Sequence, residues 1–347
     1  MRIQTALLAL LFAAVSVHAE DKIVGGPMAV NVTSRSATIS WVVQSGEVRV
    51  GTDRVIPVLR SESISMTGLK PGSTVPYTLP GGIQGSFQTA PAGPSTFQAV
   101  IFGDTRTRHD LHQKIANAID ALNPDFVVHT GDLVTDGMDT QQWPRFFDIE
   151  KGLLRKAAFY PVLGNHERNS HSFYQFFDVK TPYYSFDWGA VHFTLLNSDI
   201  GNAATSTKAK EDFWAEQTRW LEDDLKKAEK AQFRIVVMHH PPFTAVKSRQ
   251  NDTLWPKSLV PLFEQYKVAA VFAGHDHNYQ HHLKDGVHYI VTGGGGAPLY
   301  PVDGPIEHLT VKVESIEHYV RLFVTPGSAK VEAISLDGRT LEAFPLQ

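Results

Sequence analysis

Two rhythms of apolar and polar positions divide the sequence. Over residues 22–90 the apolar positions come in short runs broken by turn residues, and residues 36–43 alternate as a half-buried strand does. Leu69-Lys70-Pro71-Gly72-Ser73-Thr74 reads as a turn into a strand around Tyr77, and residues 85–90 as a short closing strand. Beyond the linker-like Pro91-Ala92-Gly93-Pro94, apolar strands alternate with helical periodicity, which predicts an α/β domain. Strands are predicted at residues 97–102, 125–128, 159–163, 235–238 and 269–272. Leu111, Ile115, Ile119 and Leu122 share one face of a helix capped by Asp110 and stopped by Asn123-Pro124. A further helix is predicted at residues 211–229, a hairpin turning at Trp188-Gly189, and strands from residue 308 to the end.

The chemistry sits where those strands stop. The runs are Phe102-Gly103-Asp104, Thr130-Gly131-Asp132, Leu163-Gly164-Asn165-His166-Glu167, Met238-His239-His240-Pro241 and Ala273-Gly274-His275-Asp276-His277. In an open α/β sheet the carboxyl ends of the strands face one crevice, so residues far apart in sequence can converge there. Glycine before a ligand-type residue lets the backbone leave the strand sharply. Carboxylates, imidazoles and an amide oxygen suit two cations, which clamp the attacking and leaving oxygens of a phosphoryl displacement and acidify a bound water. Such a water is the nucleophile, and no serine or cysteine is required.

Composition narrows the alternatives. The 347 residues contain no cysteine, so disulfides, thiolate metal sites and cysteine nucleophiles are excluded, and any metal is held by nitrogen and oxygen. The formal charge of -4 gives no basic excess for a nucleic-acid surface. Arg2, the apolar residues 6–15 and Val17-His18-Ala19 have the form of an export signal, too short to span a membrane. A cleaved signal over residues 1–19 predicts a periplasmic or secreted protein. Neither a Gly-x-x-x-x-Gly-Lys-Ser/Thr loop nor a Gly-x-Ser-x-Gly elbow occurs. Asn31-Val32-Thr33 and Asn251-Asp252-Thr253 match a glycosylation pattern, which matters only in a eukaryotic secretory route.

The ordered strand-end motifs resemble the calcineurin-like metallophosphoesterase superfamily, specifically its purple-acid-phosphatase-like branch. The hairpin Tyr184-Ser185-Phe186-Asp187-Trp188-Gly189-Ala190-Val191-His192-Phe193 and the stretch Thr292-Gly293-Gly294-Gly295-Gly296-Ala297-Pro298 are similar to that branch as well. Residues 20–92 resemble a fibronectin-type-III β-sandwich. The resemblance implies a four-layer αββα catalytic domain over residues 93–347, preceded by that all-β domain. It implies two metal ions (iron, zinc or manganese) bridged by Asp132, with Asn165, His239 and His275 completing one site and Asp104 and His277 holding the other. His166 would be the catalytic acid or hydrogen-bond donor to the substrate.

Two positions depart from the pattern. The wider superfamily has histidine where this chain has Arg106, and purple acid phosphatases have tyrosine where it has Thr135. Tyrosine gives that branch its colour, so a protein that is not purple is expected. His112, in the first turn of the helix after the first strand, is the expected replacement ligand, with His109 as the other candidate. Arg106 has no lone pair to offer a cation but suits the phosphate oxygens, or else a nearby acid such as Asp136. His129 and His192 read as core residues or as supports behind the ligands, His240 as reaching the pocket or packing, and His281 and His282 as surface residues, with the substrate mouth as the alternative. The expected activity is hydrolysis of small phosphate monoesters. A phosphodiesterase or nucleotide hydrolase with the same metals is the alternative, and a non-catalytic metal-binding adhesion protein the third.

Overall fold

The apolar runs become strands because each is buried on both faces, and alternate residues of one strand feed two different cores. The computed structural model describes residues 21–52 and 54–347, and the expected export signal, residues 1–19, lies outside them. In chain order the strands begin with β1 (Lys22–Val30), β2 (Ser36–Val50), β3 (Arg54–Thr67), β4 (Thr74–Thr78), β5 (Gln84–Gln88) and β6 (Phe97–Phe102). They continue with β7 (Phe126–His129), β8 (Ala158–Pro161), β9 (Tyr184–Trp188), β10 (Val191–Leu195), β11 (Phe233–Met238) and β12 (Ala270–Ala273). The last are β13 (Tyr279–Lys284), β14 (Val287–Thr292), β15 (Thr310–Glu314), β16 (His318–Thr325), β17 (Ser328–Ser335) and β18 (Thr340–Leu346). The helices are α1 (His109–Leu122), α2 (Trp143–Leu154), α3 (His171–Phe176), α4 (Ile200–Ala203), α5 (Thr207–Lys227), α6 (Leu254–Lys257) and α7 (Val260–Gln265).

Two sheets pack face to face. One has nine strands in the order β18-β17-β16-β6-β7-β8-β1-β2-β3, the other seven in the order β15-β13-β14-β12-β11-β10-β9. Ala99 and Ile101 of β6 meet Ile235 and Val237 of β11 in the core between the sheets. Their strand neighbours Val100 and Phe102 turn outward onto Ile115 and Ile119 of α1 and Phe146 of α2. Val236 and Met238 of β11 turn outward onto Leu221 and Leu225 of α5. This period-two partition yields four layers, helix, sheet, sheet and helix, as expected. β6, β7 and β8 pair in parallel, as do β10, β11, β12 and β14, so their carboxyl ends lie at one edge of the double sheet.

The expected separate sandwich over residues 20–92 does not stand apart. β1 pairs in parallel with β8 through Ala29 and Ala158, and β2 and β3 continue the same sheet. Met28, Val30 and Val42 join the helix-side core, while Ala29, Trp41 and Val43 join the core between the sheets. Only β4 and β5 form a ribbon of their own. The alternation over residues 36–43 is misleading because its polar positions Thr38 and Ser40 are buried too. Ser40 is fully buried, and its hydroxyl donates to the Phe176 carbonyl at 2.9 Å. A small hydroxyl with a partner fits a doubly buried strand as well as a half-exposed one. α1 likewise differs in detail: it starts after Arg108 with no side-chain cap, and it buries His112 rather than Leu111.

Among the described residues no helix is long and apolar enough to cross a membrane.

The seven-stranded sheet is fastened to α5 by an ion-pair cluster. His192 of β10 lies 2.7 Å from Asp187 of β9 through Nδ1 and 2.9 Å from Asp224 of α5 through Nε2. Ser185 and Thr194 hydroxyls also donate to Asp224, at 2.7 and 2.8 Å. Burial pushes the imidazole pKa down, but hydrogen bonds to the two carboxylates outweigh it and raise it to about 9. The folded state therefore holds this proton more tightly than the unfolded chain. The stabilisation is complete below the unfolded value near 6.5 and is lost as pH rises through about 9. Asp187 is 74% exposed, which discounts its share. His192→Gln is expected to lower the unfolding free energy by about 2 kcal/mol at pH 6. Urea titrations at pH 6 and pH 10 check this, and a deficit that does not shrink at pH 10 would contradict the assignment.

Candidate metal centre

At the carboxyl edge of the two sheets the strand-end residues do converge. Asp104 follows β6, Asp132 follows β7, Asn165 and His166 follow β8, His239 follows β11, and His275 and His277 follow β12. The turn out of the strand is made by the ligand-type residues themselves: φ is 61° at Asp104, 58° at Asp132 and 69° at His275. Non-glycine residues adopt this left-handed region at a cost, asparagine, aspartate and histidine more readily than others. The preceding glycines supply room as well as freedom. A Cβ on Gly131, whose φ is 101°, would lie 2.7 Å from His239 Nδ1, and one on Gly164 would strike the Asp132 carboxylate.

Among the described residues, two groups of side chains are gathered tightly enough to hold a cation. Asp104, Asp132 and His277 form one, and His239, His240 and His275 form the other. Asn165 belongs with the second, because its Oδ1 lies 3.1 Å from both His239 Nε2 and His275 Nδ1. Asp132 lies between the groups, with its Oδ1 3.4 Å from His239 Nε2.

The protons show what these groups are built for. His239 Nδ1 donates to the Thr130 carbonyl at 2.9 Å, so in the neutral ring Nε2 presents a lone pair to the oxygens of Asn165 and Asp132. His277 Nδ1 donates to the Pro298 carbonyl at 2.6 Å, so its Nε2 lone pair faces Asp104 Oδ1 at 3.4 Å. His275 Nε2 lies between Asp252 Oδ2 at 3.0 Å and Arg249 Nη1 at 3.1 Å; in the tautomer that gives its proton to Asp252, Nδ1 turns a lone pair to Asn165 and to His239 Nε2 at 3.3 Å. The alternative, protonating the rings, is opposed by their surroundings. Burial lowers His239 to about 3 and His277 to about 4, and holds His275 well below its usual value. Burial and the charge of Asp132 push Asp104 up, against Arg106 and the His275 N–H, the strain of two carboxylates sharing one dry site. Lone pairs aimed at lone pairs with no proton between them repel, and a cation relieves every one of these contacts. The residues fit a metal pair.

The surrounding contacts fix the ligands. Glu167 is fully buried and accepts from the backbone N–H groups of Asp132, Leu133 and Gly164, each at 2.8 Å. Burial and the charge of Asp132 raise it to about 8, against those three N–H groups. Asp104 accepts from the His275 N–H at 3.0 Å, and Asp132 from the His166 N–H at 3.0 Å. His166 Nδ1 donates to the Thr135 carbonyl at 2.6 Å, leaving Nε2 3.9 Å from Asp132 Oδ2. Arg106 turns its Nε to Asp132 Oδ2 at 3.5 Å, while Asp136 pairs with Arg168 at 3.0 Å.

His112 is not gathered with the other predicted ligands. Its Nε2 lies 2.6 Å from the buried Glu150 of α2, and it joins neither cation-holding group. Helical spacing put it on the inner face correctly, but an inner face here means the α1–α2 contact rather than the strand edge. His109 also lies outside both groups. Further side chains contribute to the site. His240 packs its ring 4.2 Å from that of His275 and accepts or donates at Ser198 Oγ, 3.2 Å away. Asp252 and Arg249, in the turn over Lys247–Thr253, reach His275, and Tyr300 stacks on His277 at 4.3 Å. The sequence offers pocket contact or packing for His240, whereas it has nothing to mark Asp252, Arg249 or Tyr300.

Residues 97–279, a little over half of the chain, match the family described as calcineurin-like phosphoesterase. Among curated proteins the chain is 29% identical to purple acid phosphatase 23 of Arabidopsis thaliana over 180 residues, 44% of this chain and 37% of that protein. It is 26% identical to purple acid phosphatase 21 of the same plant, over 66% of this chain and 56% of that protein. An uncharacterized Mycobacterium tuberculosis protein is 26% identical over 56% of this chain and 45% of its own length. The chain thus spans about half the length of these relatives. The fold is similar to a purple acid phosphatase from yellow lupin seeds, with a TM-score of 0.72 at 18% identity, covering 92% of this chain and 73% of that one.

Removing the Glu167 carboxylate strands three buried N–H groups in the turns that carry Asp132 and Asn165. Glu167→Ala is expected to lower the unfolding free energy in chelator by about 2–4 kcal/mol, and Glu167→Gln, which keeps one acceptor, by about half as much. Denaturant titration checks this, and equal losses for the two variants would contradict it.

Proposed function

The chain belongs to the calcineurin-like phosphoesterase family, and on that premise we propose that it is an exported metal-dependent hydrolase of small phosphate monoesters. The observation that supports this is the set of unprotonated imidazole nitrogens turned on carboxylate and amide oxygens at one strand edge. Asp132, Asn165, His239 and His275 would hold one ion, and Asp104, Asp132 and His277 the other. Two cations in these places would draw charge from the phosphoryl oxygens and acidify the attacking water.

The chain's own groups do the remaining work. Arg106 is 15% exposed at the side chain, with its Nε beside Asp132, placed to bind phosphate oxygens through its two-pronged guanidinium. His166 is oriented by its Nδ1–H bond to Thr135, so Nε2 faces the centre, and in the cationic ring, which carries a proton on each nitrogen, Nε2 can give its proton to the departing alkoxide oxygen. His277 and His239 are held in one tautomer by backbone carbonyls, so neither ring must reorient on binding. The Thr135 hydroxyl donates to the Arg106 carbonyl at 2.9 Å and offers no phenolate to a metal. The export reading rests on residues 1–19, and the purple acid phosphatases among the relatives support the substrate class by analogy.

Metal analysis with a phosphatase assay tests the reading. About two ions per chain are expected in the wild type, with Asp132→Asn losing at least about a thousandfold in kcat/KM, the scale of several kcal/mol of charge stabilisation. Aryl monophosphate should be turned over faster than bis-aryl phosphate; the reverse order would favour a diesterase. Neither metal nor activity would return the chain to the binding-protein reading. The metal-replete protein is expected to be colourless, and a visible charge-transfer band would overturn the assignment of Thr135 as a non-ligand.

A further inference from the structure

Between α1 and α2, next to the metal centre, lies a cavity of about 360 Å³. Two of its wall residues also serve the centre. Arg106 faces Asp132, and Thr135 holds His166 by its carbonyl. The cavity therefore opens beside the place where the ester bond would be broken, on the side of the proton donor.

Its chemistry is graded. Phe146, Leu133 and Val134 give it an apolar lining, and all three are buried. One wall is amide, from Gln141 and Gln142, and it is braced from behind. The Gln142 carbonyl accepts from the Thr135 and Asp136 N–H groups at 2.9 and 3.1 Å. Gln141 donates to the Val55 carbonyl, and the neighbouring Thr140 hydroxyl to the Pro57 carbonyl at 3.1 Å. The β2–β3 hairpin thus holds this loop against the site.

The fixed charges on the wall are cationic. Arg106 stands at the inner end and Arg145 at the outer, and among the described residues no carboxylate lines the cavity. Arg106 Nε is buried without a hydrogen-bond partner. Asp148 lies 3.3 Å from Arg145 but also 3.0 Å from Lys151, so one exposed carboxylate is shared by two cations and Arg145 keeps charge for a ligand.

We propose that this cavity receives the alcohol half of the ester and favours a small carbon skeleton carrying a second anionic group, a carboxylate or phosphate, that pairs with Arg145. The proposal rests on the phosphoesterase reading. The volume is at the low end of the roughly 300–1,000 Å³ of small-molecule sites, enough for one ring or a short chain. The apolar lining takes the skeleton, while an uncharged alcohol would leave Arg145 unmatched. Arg145 is a specificity residue, half exposed and outside the metal centre.

The test compares 4-carboxyphenyl phosphate with 4-carbamoylphenyl phosphate on metal-loaded wild type and Arg145→Gln. Intrinsic leaving-group reactivity cancels when each substrate is compared with itself across the two proteins. kcat/KM for the carboxylate substrate is expected to fall about fivefold more than for the carboxamide, the upper range for a half-exposed ion pair. Arg145→Lys, which keeps the charge, should recover most of that difference. Equal losses on both substrates, or a lysine variant no better than glutamine, would overturn the proposal. If neither ester is turned over, the phosphoesterase reading fails separately. Binding of 4-carboxybenzylphosphonate, followed by calorimetry on the same proteins, then decides: about fivefold weaker binding by Arg145→Gln supports the cavity assignment, and unchanged affinity overturns it.

Discussion

The structure depends on a repulsion that it holds in place. Asp104, Asp132, His239 and His277 are buried, and they present oxygen and nitrogen lone pairs to one another across 3.4 Å or less of protein. A buried charge without a counter-charge costs several kcal/mol, and the fixed positive charges near these groups are Arg106, beside Asp132, and Arg249, which reaches His275. A fold that spends stability in this way must hold the ligands by other means. The means are backbone contacts: Thr130 and Pro298 carbonyls take the imidazole protons, and Glu167 gathers the N–H groups of the turns.

That arrangement explains the layering. Parallel strands buried on both faces bring their carboxyl ends to one edge, and the four-layer packing makes them rigid there. Asp104, Asp132 and His275 then adopt left-handed backbone conformations that local propensity disfavours. Such strain persists only where the surroundings over-determine it. Here each residue is tied to a neighbouring loop: Asp132 by Glu167, and His275 by its N–H to Asp104. Ligand position is thus a consequence of sheet position plus a second layer of hydrogen bonds.

The strands and most of the gathered residues were legible because both signals are local. A continuous apolar run followed by glycine and a ligand-type residue needs no knowledge of the rest of the chain, and residues 97–102 became a strand with the bounds expected. The N-terminal region was misjudged because pairing partners are not local. Nothing in residues 22–67 announces that β1 will lie beside β8, and Ser40 looks exposed until Phe176 supplies an acceptor. His112 failed for the same reason: periodicity gave its direction, while its partner Glu150 comes from another helix. Asp252, Arg249 and Tyr300 sit in irregular segments, where no period exists to read.

The loss of His112 as a ligand sharpens the asymmetry of the centre. The group around His239 has a carboxylate, an amide and the three imidazoles of His239, His240 and His275, with Asp252 beside His275. The group around Asp104 has two carboxylates and His277, and Arg106 stands nearby as a permanent cation. A guanidinium beside the thinner group opposes a second high charge there, because each added positive charge on the metal raises the repulsion with Arg106. On the proposed reading it would favour a divalent over a trivalent ion in that position, in keeping with Thr135, which has no phenolate to stabilise a trivalent one. The same guanidinium would become useful once a phosphate dianion arrived, since its charge would then be shared with the substrate rather than only with Asp132. Arg106 would thus tie the choice of metal to substrate binding.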